Sequence, residues 1–502
     1  MKRTALYGLW LAAILALILM HAVHPLADFP HNSPWKDFAK YTDEGWYSKA
    51  AVDHFILGSW YMPGGFNPAV ALPILPAIEL VLFSITGPTL VAARLLLFAV
   101  FVCNLLLVYF AVRTQAPRWI ALLAVTLLAA SAFVYVFSRL VILEPLVLFF
   151  LFASWLVALH LPAAPRHRTL ACIATGLLLC LMVLTKTTAI ALLPSTFFLL
   201  WIASGPARAA HIKATAVPAL SAVLPWCVYY FAWVRPHYLA DYQSLFTANQ
   251  WPVPPILAAR VEVYRTAFTG IFATDRLLML LAMLFALFFL ARNTRRNPLA
   301  IASLLAVAGY LFFMGWHSII QPRYYLVVVY PLIIVLALGL HRLIIALRSE
   351  KRQLLAALLT FATMAAAVIL FLSTAANLLQ ITRWTTQPQY TWLNAANAVT
   401  LYIDNHSTGN RLLLSSSADE ITLTTGLPGI CDYLGTSSLL SRAAHYHPGW
   451  YAAWNNFNAF VTVDLQKQYR LQRVAAFHAY SDPGHDLLIL YKLIPQAPAT
   501  QK

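Results

Sequence analysis

The sequence predicts a polytopic α-helical membrane protein with about eleven transmembrane helices, juxtamembrane helices in its first external loop, and a small C-terminal α/β extracytoplasmic domain. Three observations carry this. Of the 502 residues 61% are hydrophobic and 10% charged, with a mean hydropathy of +0.70, too apolar for a soluble globule of this length. Apolar runs repeatedly reach the roughly 20 residues that a helix needs to cross about 30 Å of hydrocarbon. The basic residues gather in short connections on one side of the resulting topology.

In chain order, spans are expected near residues 4–23, 92–112, 118–137, 140–160, 169–185, 187–203, 214–234, 275–291, 298–315, 324–346 and 354–376. An odd number puts the termini on opposite faces. With the N-terminus cytoplasmic, the inner connections hold fifteen Lys and Arg, among them Arg113, Arg118, Arg166, Arg168, Arg292, Arg295 and Arg296, against one acid, Glu350. This is the positive-inside bias. It accounts for nearly all of the net charge of +16, so the basic balance is no sign of a nucleic-acid partner, and the short inner loops leave no room for a reading domain.

Segment 68–86 is long enough to cross, but crossing would invert every later charge cluster. With three prolines and Glu79 it reads instead as a juxtamembrane or re-entrant helix. Residues 1–23 read as a retained first helix, because no small-x-small cleavage site follows the apolar run. Four of the five cysteines lie in expected spans and Cys431 stands alone in the tail, so neither a disulfide framework nor a Cys-based zinc site is suggested.

Two regions follow: a transmembrane domain, 1–376, with external loop 24–91, and an extracytoplasmic α/β domain, 377–502. Segments 24–91 and 235–274 and the tail lie on one face, outside the cytoplasm. In the tail, strands are expected at 411–415, 459–463, 473–477 and 487–491, with helix over 390–403. Matching halves of the kind seen in many transporters are not evident.

Chemistry points to the first external loop. Asp43 and Glu44, in Tyr41-Thr-Asp-Glu-Gly-Trp-Tyr47, place carboxylates just outside the hydrocarbon, where a general base for a lipid-borne substrate is wanted. The alternative is helix capping by Thr42 or Asp43. Four cations, Arg94, Arg139, Lys186 and Arg323, fall at outer ends of spans. Each alone can be a snorkelling side chain. Together, with Lys186 at a break in Leu184-Thr-Lys-Thr-Thr188, they suit a phosphate cradle, since Arg grips phosphate oxygens bidentately and Lys supplies a compact charge. Glu144 either neutralises Arg139 or orients an acceptor or second cation; Tyr47 and His54 are further candidates to meet the acceptor or support the groups that do. The aromatic run Tyr446–Trp454 can stack on sugar rings or form core. His445 and His447, without a nearby carboxylate, make a weak metal signal.

These motifs, in order from about residue 40 to 335, resemble the GT-C glycosyltransferases: Thr42-Asp-Glu-Gly-Trp-Tyr47, Ala-Ala-Arg94-Leu, Ser138-Arg139 followed by Glu144-Pro145, Leu-Thr-Lys186, and Pro322-Arg-Tyr-Tyr ahead of Val-Tyr330-Pro. Within them the chain is similar to the branch containing protein O-mannosyltransferases and the aminoarabinose transferases that modify lipid A. The resemblance implies an inverting transfer from a polyprenyl-phosphate sugar to a protein, lipid or glycan acceptor on the outer face, more in keeping with a bacterial inner membrane. Asp43 matches the family's catalytic acid residue, while Lys186, Arg139 and Arg323 become candidates to stabilise the departing phosphate. No cofactor is implied with certainty; a divalent metal is open but not expected. One departure stands out: Gly65-Phe66-Asn67-Pro68 occupies the place where bacterial relatives often carry Lys-Pro-Pro, and Arg94 is the candidate to supply the missing charge. The rival readings are a lipid or polysaccharide transporter or flippase, and an oligosaccharide ligase or polymerase with a diphosphate-linked donor.

Overall fold

A computed structural model describes residues 2–248, 254, 256–290, 297–317, 321–407, 409–456 and 459–496. Arg292, Arg295 and Arg296, residue 291 at the end of one expected span, and part of segment 235–274 lie outside the described residues.

The chain begins with α1 (Lys2–Ala22), followed after the first loop by α2 (Asp43–Ile56), α3 (Ile74–Thr86), α4 (Leu90–Arg113), α5 (Arg118–Ala129), α6 (Ala132–Ser138), α7 (Glu144–Leu159), α8 (Pro165–Thr185), α9 (Leu193–Ala203) and α10 (Arg208–Tyr229). Three short helices, α11 (Arg235–His237), α12 (Leu239–Ala248) and α13 (Leu257–Thr266), lead to α14 (Arg276–Leu290), α15 (Pro298–Met314), α16 (Leu326–Ser349) and α17 (Gln353–Thr386). Every stretch expected to span is helical over most of its length. Among the described residues six helices are long and apolar enough to cross a membrane, or seven if α5 and α6, bent by 67° at Ala130-Ser131, form one span. The remaining expected spans are helices of 15 to 17 residues or, for Thr187–Ala203, a 3₁₀ turn running into α9.

Burial orders the bundle. The apolar stretch of α16 is 72% buried, whereas those of α1 and α10 are 11% buried, so α16 forms the core and the others the rim. α16 packs on α5, α14, α15 and α17, and α4 packs on α5 and α7. Segment 68–86 divides into a 3₁₀ turn at Pro68–Val70 and the 13-residue α3. At 1.5 Å per residue α3 is roughly 20 Å long, short of the ~30 Å hydrocarbon.

Beyond α17 come α18 (Thr391–His406), β1 (Leu413–Ser415), α19 (Ala418–Thr425), β2 (Gly429–Cys431), α20 (Leu439–Tyr446), β3 (Trp450–Trp454), α21 (Ala459–Gln466), β4 (Tyr469–His478) and β5 (Leu487–Pro495). The strands form one sheet in the order β2-β1-β3-β5-β4. β1 is parallel to β2 and β3, and β5 is antiparallel to both β3 and β4. One expectation fails here, and one open alternative closes on the core reading. Residues 459–463 begin a helix, not a strand, because a short apolar run does not distinguish the two periods; Val461 and Leu465, four apart, are the buried pair. The aromatic run contains the central strand β3, buried at every position, so Trp450 and Trp454 are core and not a sugar platform.

Candidate active site

Asp43 is the first residue of α2, with Thr42 at the N-cap position. The capping reading is not what the geometry shows: the Thr42 side chain caps no helix amide, and its hydroxyl donates to Asp43 Oδ1 at 3.2 Å. Asp43 is 1% exposed and forms an ion pair with Arg323. Arg323 lies in the 3₁₀ turn Pro322–Tyr325 that enters α16, and it also pairs with Asp37, whose Oδ2 accepts from the Arg323 amide at 2.9 Å. One guanidinium thus joins two carboxylates from the first loop. Burial pushes the Asp43 carboxyl up to about 6; Arg323 opposes this and Asp37 adds to it. An acid tuned to that range is charged at neutral pH yet basic enough to take a proton.

Lys186 ends α8 in extended conformation, φ −153° and ψ 117°, which turns its side chain out of the helix line. It pairs with Glu144, the first residue of α7, and its ammonium lies 3.9 Å from the centroid of the Tyr324 ring. The Arg323 guanidinium carbon stands 4.8 Å from the same centroid. Tyr324 therefore separates two cations on a polarisable face. Asp43, Arg323, Lys186 and Glu144 come from four distant segments and meet around this ring. Glu144 neutralises Lys186, not Arg139. Asp43 Oδ2, Glu144 Oε2 and Arg323 Nε are buried without an aligned hydrogen-bond partner. Asp43 Oδ2 meets Arg323 as a charge contact only. Unmet polar atoms grouped in one place mark a position that a ligand can complete.

Glu44 is elsewhere. One residue along a helix is about 100° around its axis, and this turns Glu44 away from Asp43 onto Arg94. Arg94 donates to both carboxylate oxygens, at 2.8 and 2.5 Å, and to the carbonyls of Pro25 and Ala27 at 2.8 Å. The Val141 amide donates to Glu44 Oε1 at 2.8 Å. The pair fastens α2 to α4, the end of the α1 segment and the α6–α7 turn. Arg94 is thereby held apart from the Asp43–Arg323–Lys186 group. Asn67, at that motif's place, instead bridges Met62, Gly65 and Asp241. Arg139 also lies outside the Asp43 group, bonded to the carbonyls of Val23 and His24 and to the Tyr135 hydroxyl.

Tyr47, four residues after Asp43 on the same helix face, belongs to the group; burial, then Asp43, holds its phenol well above the ordinary value and so protonated. His54 does not: it sits eleven residues beyond Asp43, roughly 16 Å along the axis, exposed beside Phe55. The sequence reading missed Asp37, and it missed the tail's hold on α2. Glu420 accepts the Gly45 amide at 2.7 Å, and Asp419 pairs with Lys49 at 2.7 Å, which also pairs with Asp53 at 3.0 Å. Gly45 lies so close to the Asp419 backbone that a Cβ there would collide with it. No periodicity couples residue 45 to 419, so this contact had no local signal.

The arrangement as a whole is the GT-C glycosyltransferase fold. The structure is similar to ArnT from Cupriavidus metallidurans in the apo state, with a TM-score of 0.60, 15% identity and 98% of each chain covered. The same protein bound to undecaprenyl phosphate gives 0.57 and 15%, covering 97% of this chain and 98% of that one. The archaeal oligosaccharyltransferase AglB from Archaeoglobus fulgidus, in complex with an inhibitory peptide and a dolichol-phosphate, gives 0.54 and 12%, covering 98% of this chain and 75% of that one. Residues 70–229, under half of the chain, match the family model described as dolichyl-phosphate-mannose-protein mannosyltransferase. Among curated proteins none matches the sequence significantly.

Proposed function

We propose that the protein is an inverting glycosyltransferase that moves a sugar from a polyprenyl-phosphate carrier to an acceptor at the extracytoplasmic face of a bacterial inner membrane. The N-terminus is cytoplasmic, eleven spans follow, and the first loop and the C-terminal α/β region are external. The observation that carries this reading is the meeting of Asp43 with Arg323 and Lys186 around Tyr324. The comparisons support it, since the fold recurs in ArnT bound to undecaprenyl phosphate and in AglB with a dolichol-phosphate.

In this reading Asp43 takes the proton of the acceptor group as that group attacks the anomeric carbon. The bond from that carbon to the phosphate oxygen breaks, and the electron pair leaves with the carrier phosphate. Arg323 and Lys186 meet the charge gathering there; Asp37 and Glu144 hold the two cations in place until the donor binds, and Tyr47 supports Asp43. No cofactor is called for. Asp43 is closed from solvent, so substrates enter only when the segments around Tyr324 part, and the carrier phosphate replaces carboxylates as partner of the cations.

Transfer in membranes given labelled polyprenyl-phosphate sugars tests the reading. Positioned base catalysis contributes about 10²–10⁴-fold, so Asp43→Asn should lose at least about a hundredfold. Undiminished transfer by the folded variant removes Asp43 from the base role. Substrate appearing in the opposite leaflet without a new glycosidic bond would favour transport.

A further inference from the structure

A cavity of about 80 Å³ lies between the segment following α1, Arg139 at the α6–α7 turn, and the end of α17. A single buried water needs only ~10–15 Å³ by this kind of measure, so a small polyatomic group fits. We propose that this cavity is a binding subsite for a phosphate oxyanion, separate from the Asp43 group and independent of the transfer reading.

The lining presents donors. Arg139, 9% exposed, has no carboxylate in ion-pair range among the described residues; its Nη atoms serve backbone carbonyls and the Tyr135 hydroxyl, and its Nε has no partner. The Arg383 side chain, on the last turn of α17, bonds to no described group. Asn32 accepts the Trp384 indole N–H at 2.8 Å, and Gln389 accepts the His31 amide at 3.0 Å. Both amides have thus used their oxygens and keep their NH₂ groups. The one carboxylate in the lining, Asp28, is engaged at the start of α18, accepting the amides of Trp392 and Leu393 at 2.9 and 3.4 Å and the Thr391 hydroxyl at 3.1 Å, with the His31 ring 3.5 Å away. Two guanidinium groups and two amide NH₂ groups, beside the Gln387 carboxamide, which can turn either its NH₂ or its oxygen inward, suit an oxyanion, and Arg favours phosphate through paired N–H donors. A buried Arg without a counter-charge is costly near a bilayer, and an anion relieves that cost. The cavity sits where α1 and α17 end, both bearing exposed apolar side chains such as Leu19 and Leu379, so the phosphate can belong to a lipid headgroup or come free from solution.

The test uses the full-length protein in maltoside micelles, which carry no phosphate. Inorganic phosphate and, separately, phosphatidylglycerol are titrated while the thermal midpoint and, by native mass spectrometry, lipid retention are read. Arg383→Gln is the principal variant because the side chain is exposed; Arg139→Gln is the second, and Arg470→Gln on β4 the control. Losing one charge-assisted partner should weaken binding about tenfold in Arg383→Gln and at least as much in Arg139→Gln, with Arg470→Gln unchanged. Arg383-dependent protection by inorganic phosphate supports the subsite with free phosphate as occupant, and such protection by the lipid alone supports it with a headgroup as occupant. Equal affinities in wild type and Arg383→Gln, or no response to either probe, overturn it.

Discussion

Acidification provides a quantitative test of Asp43. With its carboxyl at about 6, roughly nine-tenths is ionised at pH 7 and one-tenth at pH 5. If the ionised form is the base, kcat/KM falls about tenfold between the plateau and pH 5, with a limiting slope of one. The sign follows from the environment: burial disfavours the charged form, Arg323 favours it and Asp37 disfavours it. Arg323→Gln should therefore shift the acid limb to higher pH and Asp37→Asn to lower pH, apart from any change in plateau height. Asn at 37 retains an oxygen to accept the Ala39 amide, as Asp37 does at 2.8 Å, so the local turn is kept. The assay is initial-rate transfer from a labelled polyprenyl-phosphate sugar at subsaturating donor over pH 4.5–8. A profile flat to pH 5, or the two variants moving their limbs in the same direction, refutes the assignment.

Three further outcomes are expected. Glu44→Ala leaves Arg94 buried without its carboxylate, a defect worth about 3–5 kcal/mol, so the thermal midpoint should drop sharply, whereas a change in transfer without loss of stability would return Glu44 to the chemistry. Gly45→Ala forces α2 and α19 apart, an overpacking cost of about 1–3 kcal/mol, and should speed proteolysis within 391–496; an unchanged cleavage rate contradicts the tight contact. Asp432 is buried with no ion pair among the described residues, and burial raises it to about 7 against Arg442 and the backbone amides of Asp432 and Ser416. A raised acid stabilises the fold at low pH and loses that contribution as pH rises through 7. Asp432→Asn should thus be more stable than wild type above pH 8, by about 4 kcal/mol at most, with the gap closing near pH 4; a gap independent of pH refutes this.

Much of the fold was legible because hydrocarbon length and charge bias act along the chain. The expected spans coincide with helices, and 68–86 contains the 13-residue α3. The tail was less legible: Trp450–Trp454 carries no alternation because both faces of β3 are covered, as in buried parallel sheets. The site divides similarly. Asp43, Lys186, Arg323 and Glu144 stand at element ends, where position along the chain nearly determines position in space, and they meet. Glu44, Arg94 and Arg139 also stand at such ends, yet the direction of each side chain sends them to a structural clamp and a separate cavity. Direction depends on helix rotation and on distant partners such as Val141 and Pro25, which motif spacing does not encode. Asp37 was invisible because nothing local marks the residue that will share Arg323.

The most direct measurement is a structure of the full-length protein with a polyprenyl phosphate bound. Its phosphate is expected within hydrogen-bonding distance of both Lys186 and Arg323, with Asp43 facing the position of the transferred sugar. A phosphate bound elsewhere, with Lys186 still paired to Glu144 and Arg323 still joined to Asp37 and Asp43, would contradict the assignment of this group as the donor site.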